Sequence, residues 1–299
     1  MVYQQTKLRS WIDIELLDWN FLSSNKNAIE LLKANPEKIN WMFLSLNENA
    51  KEILKEHPQK IHWYNLSQNE NANEILLANY RKINWDYISL NKNAINIIKR
   101  NLKKINWVYL SANPNAISIL KDNPVKINWK MLSSNPSAIE ILRDNPDKIN
   151  WEYISRNPNA YEIIKDNQNK IDWNILALNE NIDIIKLLKP NPEKINWRIL
   201  SKNPNAIELL KDNPSKINWS YLSKNPNAIE LLKENPEKIN WYYLSQNPNI
   251  FTYNYVLIRE TFKELAEEII HKALHPKRML RLMEEYGEDE IYKCYFDDD

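Results

Sequence analysis

Apolar residues along this chain follow a helical spacing within short segments and a much longer spacing between them. In residues 105–126, Ala116, Ile117, Ile119 and Leu120 cover one face of a helix. Asn113 before them is a helix N-cap type, and Pro114 stands at the first helical position, where a missing N–H costs nothing. Asn123 ends the segment, because a residue preceding proline is pushed out of the α region. A second start lies at Asn106, where Ile105 and Leu110 have the spacing of a hydrophobic staple. The equivalent cap positions hold Asp18, Asn40, His62, Asn84, Asn128, Asn150, Asp172, Asn196, Asn218 and Asn240, all good caps except His62. Each segment therefore predicts a short helix opening at Trp and a second opening near Asn-Pro.

The long period is carried by tryptophan. Trp19, Trp41, Trp63, Trp85, Trp107, Trp129, Trp151 and Trp173 are each 22 residues apart; Trp197 follows after 24, and Trp219 and Trp241 resume the period of 22. The two extra residues fall between Ile182 and Pro192 and the register recovers at once, as in a stacked array. A single repeat cannot bury enough surface to offset its ordering entropy, so neighbours must stack. The expected fold is all-α: an α-solenoid of about eleven helix–turn–helix repeats. Helices packed ~8–10 Å apart would make it a rod or superhelix of order 100 Å. A leucine-rich-repeat-like or β-solenoid arrangement is the structural rival, since Lys-Ile-Asn-Trp could form a strand and repeated Asn can form ladders. It ranks second, because Ala-Ile-Glu-Leu-Leu-Lys at 206–211 and 228–233 is a strong helix sequence.

Three regions follow: an N-terminal cap at 1–18, the repeats at 19–248, and a C-terminal helical cap with an acidic tail at 249–299. Trp11, Ile14, Leu16 and Leu17 are expected to cover the first repeat. Phe262, Leu265, Ile269, Ala273 and Leu274 keep a helical face in step up to Pro276, and residues 277–286 form a second amphipathic stretch ending at Gly287. The last three residues, Asp297 to Asp299, are expected to fray.

Composition removes whole classes of function. A single glycine, Gly287, excludes Gly-rich phosphate loops. Forty basic against thirty-nine acidic residues leave no global field for nucleic acid or an anionic membrane. The lone Cys294 allows no internal disulfide. There is no signal-like start, Val2 stands where myristoylation needs glycine, and no apolar run could span a bilayer. The expectation is a soluble protein of the cytosol.

The units Lys-Ile-Asn-Trp-x-x-Leu-Ser-x-Asn-Pro-Asn-Ala-Ile-Glu-Leu-Leu-Lys resemble the tandem 22-residue Asn/Trp repeat proteins of giant DNA viruses. The opening Leu8-Arg9-Ser10-Trp11-Ile12-Asp13 and the closing His275-Pro276-Lys277-Arg278 are similar to that family's ends. The resemblance covers nearly the whole chain. It implies a viral origin and a place in the host cytoplasm or the virion, and it transfers no catalytic residues. Lys26, Glu48, Glu70, Lys92 and Glu180 depart from the pattern where the helix-start proline would stand, so those helices should begin less sharply.

No constellation for chemistry is visible. His271 and His275 share a helix face, but Lys272 stands where a zincin carries its glutamate, so no metal or other cofactor is expected. Serines such as Ser45, Ser67 and Ser111 belong to the repeat framework, and Glu30, Glu52, Glu208 and Glu230 pair with lysines one turn on. Nothing converges as an active site must, and an enzyme is not expected. Lysines once per repeat, from Lys38 to Lys238, could form a single-stranded RNA groove with the tryptophans. Trp at a fixed spot beside a helix cap is better read as core, and each Lys suits a helix C-terminus.

What varies is the first-helix face one and five residues after Trp. It is mostly apolar in repeats two to five and largely polar or charged afterwards. Met42, Leu46, Tyr64, Leu90 and Val108 are therefore the expected protein-docking patch. The bland alternative is drift, or contact of Leu46 and Leu90 with the next repeat. Function is expected to be non-catalytic: a scaffold or adaptor for a host or viral protein. The alternatives are a self-associating component of a virion or larger assembly and, more remotely, an RNA-binding repeat protein. No membrane is among the expected partners.

Overall fold

A computed structural model describes residues 6–288 and Ile291; side chains at 261 and 264–266, Leu265 among them, lie outside that description, as do Met1–Gln5, Cys294 and the acidic tail. The fold is an all-α solenoid of regularly repeating helix pairs, and the strand-based rival does not apply. Repeat 5 is representative. Its first helix is Trp107–Ala112, capped by Asn106, whose Oδ1 accepts the amides of Val108 and Tyr109. A 3-10 turn at Pro114–Ala116, capped by Asn113, leads into the second helix, Ile117–Lys121. Another 3-10 turn, Pro124–Lys126, returns the chain to the next Asn-Trp.

Two details differ from the sequence expectation. The second helix begins about one turn after Asn-Pro, and Asn113 caps the intervening 3-10 turn. Nor does proline decide how that helix begins: the turn at Lys92–Ala94 forms without it, capped by Asn91 in the same way. The Asx hydrogen bond, present with either residue, supplies the turn. His62 does cap its helix, accepting the Asn65 amide at 3.4 Å, a long bond compared with those of the Asn caps.

The core is one column of side chains shared by all repeats. Leu at Trp+3, or Ile in its place, is fully buried in every repeat, as at Leu22, Ile88, Leu132 and Leu244. The Ala that precedes the second helix, in every repeat with such a helix except repeat 8, and a Leu or Ile within it face these residues, as with Ala116 and Leu120. Short side chains close the seams. Ser111 Oγ donates to the Trp107 carbonyl at 2.8 Å and accepts the Asn128 amide of the next repeat at 2.9 Å. Buried Asn135 donates to two carbonyls of the preceding repeat, Ser111 at 3.0 Å and Asn113 at 2.9 Å, while its Oδ1 accepts Ser137 N–H at 2.9 Å. This asparagine ladder satisfies the polar backbone buried where the repeats stack. The two extra residues near 182–192 leave it intact, with Asn203 bonding to Ala177 and Asn179 carbonyls at 3.0 and 2.8 Å.

The array does not extend as a rod. Residues Lys7–Thr252 close on themselves as a ring. Asn25 of repeat 1 donates to the carbonyls of Ser245 and Asn247 in repeat 11, at 3.2 and 3.1 Å, and Asn27 donates to the Pro248 carbonyl at 2.9 Å. Asp18 N–H meets Ser245 Oγ at 2.8 Å, and Phe21 packs edge-on against Tyr242 with centroids 4.6 Å apart. These are the contacts of an ordinary seam, made between residues more than two hundred positions apart.

The N-terminal segment is consequently not a cap over an open end. Repeat 11 has its first helix, Trp241–Leu244, and its turn, Pro248–Ile250, but its own sequence stops before a second helix. Residues from the other terminus fill that place. Strand β1 (Thr6–Leu8) pairs with β2 (Phe251–Tyr253), and Arg9 N–H bonds to the Ile250 carbonyl at 2.9 Å. The Arg9 guanidinium bonds to the Asn249 carbonyl at 2.7 Å and lies 3.9 Å from Glu230 on the second helix of repeat 10. A 3-10 turn at Ile14–Leu16 then leads to Leu17 and Asp18, which occupy the repeat's Ile-Asn positions. Ile12 and Leu17 are buried, Ile14 is half-buried and Leu16 is exposed.

Beyond the ring the chain forms helices at Tyr255–Ala273 and Pro276–Tyr286, the second starting at Pro276 and ending at Gly287. Gly287 has a φ of 94°, a conformation that suits glycine at a helix C-terminus.

Candidate binding surface

The inner and outer sides of the ring can be told apart by how neighbouring repeats touch. Consecutive first helices meet through short groups: Asn65 Nδ2 donates to the Met42 carbonyl at 2.8 Å, and Asn106 to Asp86 at 3.0 Å. Consecutive second helices are bridged by long ion pairs, such as Lys51 and Lys55 to Glu74, the latter at 2.8 Å. Shallow grooves open between them, one lined by Leu54, Pro58 and Ile75 and another by Leu142, Pro146 and Ile163. In a closed ring the layer with the shorter step is the inside. The first helices therefore form the inner wall, and the face one, two and five residues after Trp is turned inward. With ~8–10 Å per repeat, eleven repeats put these helix axes about 16 Å from the ring centre.

The expected patch residues all lie on this inner wall. Met42, Tyr64 and Val108 are 45%, 45% and 43% exposed, whereas Leu46 and Leu90 are half-buried. The residues two after Trp link the repeats. The hydroxyls of Tyr64 and Tyr87 are hydrogen-bonded at 2.6 Å, with ring centroids 3.9 Å apart, and Tyr87 lies 5.9 Å from Tyr109. The bond with Tyr64 and partial burial raise the Tyr87 phenol above its ordinary pKa. Phe43 meets Phe21 at 5.6 Å, and Phe21 meets Tyr242. Closure thus extends the apolar arc to Tyr242, which is 52% exposed and is absent from the expected patch. The signal that it belongs there was the split repeat itself: one half stands at 14–18, its complement at 241–250.

Further round the inner wall the chemistry changes. Lys130 and Arg156 both stack on Tyr153, 4.7 and 5.1 Å from its centroid. Arg198 lies 4.9 Å over Tyr221 and Lys224 lies 4.1 Å over Tyr243. Arg156 and Lys202 share a hollow with Pro158, Leu178 and Glu180. Partial burial, and then the charge on Lys202, hold the Lys224 ammonium below its usual pKa.

The tryptophans occupy a different position from the one expected. They are half-buried, packed against the core on one face. In six repeats the other face is covered by the lysine nineteen residues later, as with Lys38 on Trp19, Lys82 on Trp63 and Lys148 on Trp129, all at 4.6 Å. In those repeats the two halves of the imagined RNA groove are engaged with each other.

His271 and His275 lie side by side with centroids 6.3 Å apart, and His275 Nδ1 accepts the Lys277 amide at 3.3 Å as a helix cap. Among the described residues no group of three or more His, Cys, Asp or Glu is placed to hold a metal, and no helix is long and apolar enough to cross a membrane.

The fold and this surface define a closed α-solenoid ring with a chemically two-sided inner wall. No protein-family model, curated protein or solved structure matches the chain.

Proposed function

We propose that this ring is a non-catalytic scaffold that docks a protein partner on its inner wall. The observation that carries the reading is the arc Tyr242, Met42, Tyr64 and Val108. These large apolar or aromatic side chains remain about half exposed on a surface whose other members are ordered against one another. Aromatic and methionine side chains gathered on a rigid concave surface supply contact area at small entropic cost. The resemblance of the repeat to giant-virus proteins supports a viral origin, with a host or viral protein as partner.

The test is affinity capture from host lysate with the wild type and with Met42→Asp/Val108→Asp. Both positions are exposed, so the variant should fold. A discrete partner retained by the wild type, resistant to nuclease and lost with the variant, is the expected result. Equal capture by both would remove the inner wall from the reading.

A second reading, a self-assembling component, is supported by the C-terminal helices, where Val256, Ile269, Ile270 and Leu280 are 56–64% exposed. Light scattering of the purified chain decides between them: a monomer favours the scaffold, an ordered oligomer the assembly component.

A further inference from the structure

The near neutrality of the chain conceals a segregation of charge on the inner wall. In repeats 6 to 10 the positions one and five after Trp carry five cations, Lys130, Arg156, Arg198, Lys202 and Lys224, against one carboxylate, Glu152. In repeats 11 and 1 to 5 the same positions carry no cation, and their one acid, Asp86, is hydrogen-bonded to Asn106 at 3.0 Å. With forty basic and thirty-nine acidic residues overall, an unselected inward face would be balanced. The cations are also held in place, with Arg198 on Tyr221 and Lys224 on Tyr243. Partial burial, and then like-charge crowding by Lys202, already disfavour the charged form of Lys224, a state that an incoming anion would relieve.

The basic and apolar arcs join at the closure seam. Lys224 packs on Tyr243, its neighbour Tyr242 packs on Phe21, and Phe21 packs on Phe43 beside Met42. We infer that this junction, from Arg198 through Tyr242 to Met42, binds a polypeptide segment with acidic side chains at one end and apolar ones at the other. The inference rests on the reading of the inner wall as a protein-docking surface and gives the partner its chemistry. Repeats 9 to 11 and 1 to 2 span four steps of ~9 Å. An extended segment rising ~3.3 Å per residue covers that distance with about a dozen residues. Acidic residues would face Arg198, Lys202 and Lys224, and large apolar residues would lie on Tyr242 and Met42.

Protein is favoured over single-stranded nucleic acid by the state of the aromatic rings. A strand of nucleic acid needs stacking platforms beside its phosphate-binding cations. In the basic arc Tyr153, Tyr221 and Tyr243 carry cations on their faces. The platforms are taken, while the apolar arc lacks phosphate partners.

The experiment is fluorescence anisotropy on the full chain. The probes are labelled 12-residue peptides with Glu/Asp in one half and Leu/Phe in the other, made in both orders. Peptides with Lys replacing the acids and a 12-nucleotide oligo(dT) are run beside them. Wild type should bind one acidic–apolar order, more weakly at higher salt, and neither the lysine peptides nor, comparably, the oligonucleotide. Arg198→Glu/Lys202→Glu/Lys224→Glu should weaken binding by at least about tenfold, and Lys130→Glu/Arg156→Glu, outside the footprint, by much less. The neutral pair Arg198→Gln/Lys202→Gln, checked by circular dichroism, replaces the triple reversal if that variant fails to fold.

No binding of either acidic peptide, an unchanged affinity after reversal, or tighter binding of the oligonucleotide overturns the inference. Should it fail while Met42→Asp/Val108→Asp still abolishes partner capture, only the acidic chemistry falls. Should both fail, the docking role of the inner wall falls with it.

Discussion

Two seams in this ring invite comparison: one between repeats 5 and 6, joined by the chain, and one between repeats 11 and 1, joined by nothing covalent. At the first, Asn128 N–H meets Ser111 Oγ at 2.9 Å and Asn135 donates to the Ser111 and Asn113 carbonyls at 3.0 and 2.9 Å. At the second, Asp18 N–H meets Ser245 Oγ at 2.8 Å and Asn25 donates to the Ser245 and Asn247 carbonyls at 3.2 and 3.1 Å. Donors, acceptors and order are the same. Stacking is therefore a property of the faces each repeat presents and needs no peptide link across the seam. The outer layer is where the seams part company. Repeats 5 and 6 both contribute second helices, Ile117–Lys121 and Ile139–Arg143, whereas repeat 11 borrows a strand and turn from the N-terminal side. An open solenoid leaves its end repeats with one neighbour and needs caps for them. Closure gives every repeat two neighbours.

Removing the borrowed segment should have the largest effect. A chain lacking residues 1–17 loses Ile12 and Leu17 from the core, each worth about 1.5–3 kcal/mol of burial, and bares the polar edge of repeat 11. Denaturant unfolding should show a loss of about 3–6 kcal/mol with a broadened transition. An unchanged midpoint would mean that the borrowed segment contributes nothing to the stability of repeat 11.

Smaller, and more direct as a comparison, is the paired substitution of the ladder asparagines. Asn135→Ala strands the Ser111 carbonyl and leaves the Asn113 carbonyl with the Ala116 amide alone, at a cost of about 1–3 kcal/mol. Asn25→Ala strands the Ser245 carbonyl and leaves the Asn247 carbonyl with the Ile250 amide, and should cost the same within about 1 kcal/mol. If thermal or urea unfolding finds Asn25→Ala nearly silent beside a costly Asn135→Ala, the two seams are unequal.

The smallest effect concerns an ordinary seam of the outer layer. The Glu74 carboxyl, hydrogen-bonded by Lys51 and then Lys55, is held down to about 2 against its usual 4.5. For such a depressed acid the pair's contribution is complete above the ordinary carboxylate range and is lost as pH falls toward 2. Carbon NMR titration should place the Glu74 midpoint near 2. A midpoint near 4.5 would dissolve the bridge between these second helices. The charges are exposed, so global stability should scarcely respond to Glu74→Gln.

Much of this was legible in the residues. Asn106 before Trp107, the Asn113 turn and the Asn123-Pro124 stop give the elements of one repeat, and the tryptophan period multiplies them by eleven. The burial of Leu at Trp+3 follows from helical spacing alone. Met42, Tyr64 and Val108 were placed on an exposed face by the same spacing. Curvature was not legible. A ring of eleven requires each seam to turn by roughly 33°, which for layers ~10 Å apart is an excess of outer over inner spacing of about 6 Å per step. The side chains that set it, short Asn and Ser within and long Lys–Glu pairs without, read in sequence as ordinary caps and helix pairs. Tyr242 was missed for the same reason, since its neighbour Phe21 is 221 residues away. Even so, Leu17-Asp18-Trp19 matches Ile-Asn-Trp and ends a repeat whose beginning lies at Trp241.

The central claim is that the ring is closed, and an end-to-end distance tests it most directly. Spin labels on cysteines at Glu15 and Glu237, both exposed, with Cys294 replaced by serine, report across the closure seam. Labels at Glu37 and Gln59 occupy equivalent exposed sites one ordinary seam apart. Electron–electron dipolar spectroscopy should return overlapping distributions for the two pairs, both centred below about 25 Å at one ~8–10 Å step plus label arms. A Glu15–Glu237 distance near 80–100 Å, as ten steps of an open array require, beside a short Glu37–Gln59 distance, would contradict closure.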